Sequence, residues 1–273
     1  MFPCRERFWR QIMTSLLGRS DPHPVRVYGV DYSSPFLFVS DHAGLAIPET
    51  LMELGITAEE RQRHIGWDIG IDGAGRRLAD KLGALLIEQV YSRLVIDSNR
   101  APGHPTSIPA VSDGTVIPGN RDLDVAARTL REVEILSPYH DAIARTLDER
   151  QQAGRETFLI ALHSFTPIMG GRARPWKAGV LHNRDPRFGR IVWNLLTEAG
   201  IETGDNEPYA LTETSDYTIP QHGEAREIPH LELEIRQDLI ADEAGQEEWS
   251  ELLARLLPKA RELYAQAYGK DVA

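Results

Sequence analysis

Short, almost uninterrupted apolar runs separated by helical patterns constrain this chain more than any other feature. Pro35–Ser40, Ala84–Val90 and Thr157–Leu162 are each five to seven residues long and bounded by polar or turn-forming residues. Runs of that length without polar alternation are what strands buried on both faces require. Between them, Ile71–Leu82 and Arg187–Ala199 carry apolar residues at helical spacing. Pro48–Leu54, Leu123–Gln152 (interrupted near Pro138) and Gly245–Tyr268 (with a kink at Pro258) also read as helices. Arg93–Ile96 and Ala178–His182 read as further short strands. This alternation predicts an α/β sandwich built on a largely parallel sheet. In such sheets ligands bind beyond the carboxyl ends of the strands, so chemistry is expected in the residues that follow each strand.

Length and charge narrow the possibilities. The 273 residues, 41% of them apolar, suffice for one large domain over 25–273, with residues 1–24 as an N-terminal extension or short amphipathic helix. A formal net charge of −11 disfavours nucleic acid and anionic membranes as partners, and an anionic substrate would need a local basic pocket. No apolar run approaches the roughly 18 residues of a membrane span. Arg10 and Gln11 break the apolar pieces that a signal peptide would need. Met13 offers an alternative start. The single cysteine, Cys4, permits no internal disulfide, which suits a reducing cytoplasm, and its terminal position makes it a poor nucleophile or ligand. Composition leaves the oligomeric state open.

The strand ends hold the candidate chemistry. Asp41-His42-Ala43-Gly44 follows the first strong strand, and His163-Ser164 follows Thr157–Leu162. Two histidines and a carboxylate plus a water make up a hydrolytic zinc site. Asp68, just ahead of a helix, is the candidate third ligand, with Asp41 and His64 as competing choices. In His230–Arg236, Leu231, Leu233 and Ile235 alternate with Glu232, Glu234 and Arg236. That pattern marks a strand with either a solvated polar face or a glutamate aimed at a site as general base. Asn99-Arg100 follows another strand-like run. Arginine forks carboxylates, so Arg100 with Asn99 would suit a substrate carboxylate, with Arg93 as a second anion contact. The loop-rich segments 101–120 and 203–223 would wall a pocket. Serine-hydrolase elbows, phosphate-binding loops, complete dinucleotide fingerprints and H-E-x-x-H motifs are all missing from the chain.

Five segments together, FLFVSDHAGLAIP, HIGWDIG, YSRLVIDSNR, LIALHSFTP and HLELEIRQDL, resemble the N-formylglutamate amidohydrolases, hydrolases related to zinc carboxypeptidases. The resemblance spans roughly residues 35–265. It implies a three-layer, phosphorylase/hydrolase-like α/β fold with a mostly parallel mixed sheet. It implies zinc as cofactor, held by His42 and His163, with Asn99-Arg100 on the substrate carboxylate and Glu234 as general base. The family's usual His-Ser-Gly reads His42-Ala43-Gly44 here. The glutamate that zinc carboxypeptidases carry three residues after the first histidine is Leu45. Either Asp68 takes that role or the site is altered. The implied reaction is hydrolysis of N-formyl-L-glutamate to formate and L-glutamate, with Arg93, Arg184 or Arg236 available to a second carboxylate. Two alternatives remain: a zinc hydrolase of another amide or peptide, and a non-catalytic protein of the same fold that binds a small carboxylate.

Overall fold

The computed structural model describes residues 15–29, 33–212 and 214–269. Cys4, Met13 and most of the expected N-terminal helix lie outside them. In chain order the elements are β1 (Val25–Tyr28), β2 (Phe36–Ser40), α1 (Ala58–Arg61), α2 (Ile71–Leu82), β3 (Leu85–Gln89), β4 (Val111–Ser112), β5 (Thr115–Val116), α3 (Val125–Arg131), α4 (Ser137–Gln152), β6 (Phe158–Phe165), β7 (Ile168–Met169), β8 (Arg172–Ala173), β9 (Ala178–Leu181), α5 (Arg187–Glu198), β10 (Thr203–Asp205), β11 (His230–Arg236) and α6 (Glu243–Tyr268).

Seven strands form one mixed sheet in the order β1-β3-β2-β6-β11-β9-β10. The four central strands, β3, β2, β6 and β11, run parallel, so their carboxyl ends share one edge. β9 and β10 are parallel to each other, while β1 against β3 and β9 against β11 are antiparallel. Strand alternation sends Phe36, Phe38, Ile160, Leu162, Leu231 and Leu233 to the face covered by α2, α5 and α6. Leu37, Val39, Leu159 and Ala161 point the other way, against Tyr139, Ile143 and Leu147 of α4. Each buried aliphatic side chain contributes about 1.5–3 kcal/mol, so these two seams hold the three layers together. The fold is the α/β sandwich expected from the sequence. Among the described residues no helix is long and apolar enough to cross a membrane.

Local departures from the expected elements have identifiable causes. Arg93–Ile96 is a turn rather than a strand: the Ser92 hydroxyl accepts from Leu94 N, and Val95 N bonds back to Ser92 O. Pro48–Leu54 gives only a 3₁₀ segment, Glu49–Gly55, because Met52, Glu53 and Leu54 take left-handed backbone angles. Pro138 does not interrupt its helix. A π turn at Glu132–Leu136 shifts the hydrogen-bond register so that Ser137 N reaches Glu132 O, which absorbs the proline between α3 and α4. α6 likewise continues through Pro258. The strand expected to end at Leu162 continues to Phe165, paired along its whole edge with β11. His163 and Ser164 are therefore inside β6. β1 and β10, of four and three residues, are too short for a periodic signal. Residues 15–24 pack on the body: Leu16 is buried, and Leu16 N and Leu17 N both donate to the Glu134 carboxylate.

Two buried devices hold the loops at the carboxyl edge. Arg131, 1% exposed, donates to Val95 O, Asn120 Oδ1 and Gly119 O, pinning segment 94–120 to α3. His140 on α4 donates from Nε2 to Ser98 O at 2.8 Å. A carbonyl can only accept, so Nδ1 is left to accept from His222 Nε2 at 3.0 Å. Both rings are neutral in this chain of bonds. Burial, with the neighbouring His140 adding to it, holds His222 down to about 3. An unfolded histidine takes its proton near 6.5, so between pH 6.5 and 3 the unfolded chain binds the extra proton. The stabilisation is whole above about pH 6.5 and is lost as pH falls. Urea titrations at pH 7 and pH 5 should show a loss attributable to His222 of about 2 kcal/mol, which His222→Gln removes. An unchanged pH slope in that variant would contradict the assignment.

Candidate functional site

Chemistry replaces packing at the carboxyl edge of the sheet. On β6 the residues facing α4 run Leu159, Ala161, His163. On β11, Glu232 pairs in register with Ala161 and Glu234 with His163, so both glutamates share the histidine's face. The alternation in His230–Arg236 is thus real, but its polar face is buried between two neighbouring strands, with Glu232 and Glu234 at 2% and 4% exposure. β2 ends beside them and delivers Asp41 and His42. The turn past His42 passes so close to the end of β3 that a Cβ on Gly44 would sit 1.9 Å from Val90 O. Only glycine fits there. Asp68 enters from the segment before α2, fixed by Asp68 N donating to His42 O at 3.0 Å.

The two histidines share one arrangement. Asp68 Oδ2 lies 3.0 Å from His163 Nδ1 and 3.5 Å from His42 Nδ1. The far nitrogen of each ring meets its own carboxylate: His42 Nε2 is 2.7 Å from Asp97, and His163 Nε2 is 3.0 Å from Asp41. Thr218 Oγ1 donates to Asp41 at 2.6 Å. Asp97 also accepts from Asn99 N and from Arg93, whose Nη1 reaches Asp68 at 3.3 Å. Ligand-type atoms of His42, Asp68 and His163 all lie within 4.8 Å of one another, as do those of His163, Glu232 and Glu234. His42 Nδ1 and Glu234 Oε2 are buried without a hydrogen-bond partner. Unpartnered buried polar atoms are costly, by about 1–3 kcal/mol each, which marks a place where a further group belongs.

Electrostatics point the same way. Burial alone would lower both histidines. Glu232, Asp41 and Asp68 instead hold His163 well above its ordinary value, and Asp97 and Asp68 raise His42 against burial and Arg93. Asp41, despite burial, is lowered to about 2 by His163 and Thr218. Glu234 is pushed up to about 7, chiefly by burial, and Glu232 is also raised well above its ordinary value, by burial and by Asp216 and Glu234. Five buried carboxyl groups thus face two imidazoles and one guanidinium. A dication would relieve that imbalance, and the donor set of imidazole and carboxylate suits a divalent transition metal.

The site opens into a cavity of about 490 Å³, in the range of roughly 300–1,000 Å³ typical of small-molecule sites. The seven residues preferred for the site in the sequence, His42, Asp68, Arg93, Asn99, Arg100, His163 and Glu234, line it. Asn99 is buried. Its amide nitrogen bonds Asp216 and Glu232, and its oxygen accepts from Tyr217 N and Thr218 N. Arg100 donates to Asn99 O and lies 3.8 Å from Asp216. His64 sits at the rim, 3.3 Å from Asp113, outside the metal-type grouping, while Asp41 stands behind His163. Arg184 and Arg236 are outside the lining; they pair with Glu224 and Asp238. Asp97 went unmarked in the sequence, and Glu232 was passed over for Glu234 as the candidate base. Both could have been found: Asp97 directly precedes Ser98-Asn99-Arg100, and Glu232 is two residues from Glu234 on the same strand face. Tyr209 and Asp216, in the loop after β10, left no periodic signal.

Comparison with known proteins places this geometry. Residues 34–241 match the family model of N-formylglutamate amidohydrolase. No curated protein matches by sequence. Among solved structures, the gene product Atu2144 from Agrobacterium tumefaciens is 34% identical with a TM-score of 0.88, over 90% of this chain and 98% of that one. The N-formylglutamate amidohydrolase from Ralstonia eutropha JMP134 shares the fold at 22% identity and a TM-score of 0.68, over 88% of this chain and 99% of that one. The match covers every named element except the edge strand β1 and the helix α6, and the chain therefore belongs to the N-formylglutamate amidohydrolase family.

Proposed function

We propose that this protein is a zinc-dependent amidohydrolase that cleaves N-formyl-L-glutamate, or a similar N-acyl amino acid, to formate and the free amino acid. The observation that best supports it is the matched pair of histidines, each held at Nε2 by a buried carboxylate while Nδ1 faces Asp68. That is the carboxylate–histidine arrangement that orients metal ligands and raises their basicity. His42 Nδ1, His163 Nδ1 and Asp68 would hold the ion, with Asp68 replacing the glutamate absent at Leu45. Bound there, zinc would polarise the amide carbonyl and make a water nucleophilic near neutral pH.

The chain's own residues do the rest. Glu234 has an unpartnered oxygen facing the cavity and a carboxyl group poised near 7, which suits a group that must both take and give a proton. It accepts a proton from the attacking water. The water oxygen bonds to the formyl carbon, the C–N bond breaks, and the proton passes to the leaving nitrogen. Arg93, held against Asp68, meets the substrate near the reacting amide. Arg100, away from the ligands, takes the α-carboxylate with Asn99, displacing Asp216. The cavity walls exclude bulk water, which strengthens these charge interactions.

Two measurements test this reading. Glu234→Gln should retain zinc while formate release from N-formyl-L-glutamate falls by about 10²–10⁴-fold in kcat; undiminished turnover would remove Glu234 from the mechanism. Asp97→Asn should weaken zinc affinity by roughly 10- to 100-fold in chelator competition. An affinity equal to that of the wild type would mean that His42 is not the ligand Asp97 orients.

A further inference from the structure

A substrate with an acidic side chain carries two carboxylates, and the cavity must neutralise both. The arginines already described leave one of them unmatched. Arg93 is already paired with two carboxylates: Nε and Nη2 go to Asp97, and Nη1 goes to Asp68. Arg100 stands at the Asn99 end, 3.8 Å from the Asp216 carboxylate.

A third guanidinium, that of Arg174, packs directly against three residues of the cavity wall. β6 runs from His163 to Phe165 and continues into the hairpin β7–β8, whose base is closed by Arg174 N donating to Pro167 O at 2.8 Å. Arg174 Nη1 donates to Tyr209 Oη at 2.9 Å and to Thr166 O at 3.3 Å. Its Cζ lies 4.7 Å from the Tyr209 ring centre and 5.8 Å from that of Phe165. Phe165, Thr166 and Tyr209 all line the cavity. Its five N–H groups are thus clamped from one side only, since Nε and Nη2 bond nothing among the described residues. Those two atoms form one edge of the fork, the edge that grips a carboxylate with two parallel bonds. No carboxylate among the described residues pairs with Arg174, in contrast to Arg93 and Arg100.

The charge of Arg174 also reaches the cavity. Burial, together with the charges of Arg63, Arg93 and Arg174, holds His64 at the rim below its ordinary value. Burial and the nearby Glu234 push the Tyr209 hydroxyl up against the pull of Arg174, so Tyr209 lies within reach of both the base and the guanidinium.

We propose that Arg174, positioned by Tyr209 and the Thr166 carbonyl, is the specificity-determining residue that binds the side-chain carboxylate of an acidic N-acyl amino acid. This rests on the amidohydrolase reading above. It adds a selection rule: an acidic side chain is preferred to its neutral amide. Tyr209 is a positioning residue, holding the guanidinium beside the cavity wall through its hydroxyl and its ring.

The test compares N-formyl-L-glutamate with its neutral isostere N-formyl-L-glutamine in the zinc-loaded enzyme. The wild type should prefer the acid. Arg174→Met should lower kcat/KM for the acid by roughly 10- to 100-fold through KM, and change that for the amide by less than about threefold. Tyr209→Phe should give a smaller rise in KM for the acid alone. Equal losses on both substrates, or no loss on the acid, overturn the proposal. If the wild type cleaves neither, the deformylase reading fails separately. Calorimetry with glutarate and its monoamide then decides for Arg174. A preference for the dicarboxylate that disappears in Arg174→Met sustains it, and no preference, or one that survives the substitution, overturns it.

Discussion

The carboxylate of Asp68 is the point through which the separate parts of this site are joined. One oxygen faces both histidines and accepts from Ser164 N at 3.1 Å; the other meets Arg93. The carboxyl ends of β2 and β6 and the turn after β3 are thereby tied to a single buried group ahead of α2. A buried carboxylate with this many charged neighbours is costly to form and costly to remove, because two imidazoles and a guanidinium would each lose one of the carboxylates they share. Its folded-state pKa is depressed, against burial, by His42 and His163. The unfolded chain takes up that proton first on acidification, so the charge contributes stability at neutral pH that is lost as pH falls below the ordinary carboxylate range.

The sheet beneath explains why such a group can exist. Four parallel central strands, sealed by apolar residues on both faces, present their ends to one edge with little freedom to shift. The loops above that edge are held by buried polar side chains: Arg131 on the 94–120 segment, the His140–His222 pair on Ser98, and Asn99 on Tyr217 and Thr218. Rigid support of this kind is what a catalytic constellation needs, since small misplacements cost heavily in rate.

Much of this was legible in the sequence. The buried strands were legible because an apolar run of five to eight residues has few other uses, and His42 and His163 because polar residues at the ends of such runs need a reason to be there; Glu234 stood out only in the alternation of His230–Arg236, and the family resemblance chose it over Glu232. The extension of β6 through His163 was hidden, because a histidine interrupts an apolar run whether or not the backbone stays extended. The turn at Arg93–Ile96 mimicked a strand: Leu94, Val95 and Ile96 are buried by tertiary packing against Leu54, Ile108 and Ile135. The carboxylates behind the histidines, and Arg174 with Tyr209, come together only through long-range folding. Tyr209 lies 35 residues from Arg174, and Asp41 lies 122 residues from His163.

The position of a bound metal decides which residues are ligands and which are their supports. Crystals of the zinc-loaded protein, measured on both sides of the zinc absorption edge, would locate the ion without reference to activity. One anomalous peak is expected, bonded to His42 Nδ1, His163 Nδ1 and the Asp68 carboxylate. A peak among His163, Glu232 and Glu234, or none at the carboxyl edge of the sheet, would contradict that assignment.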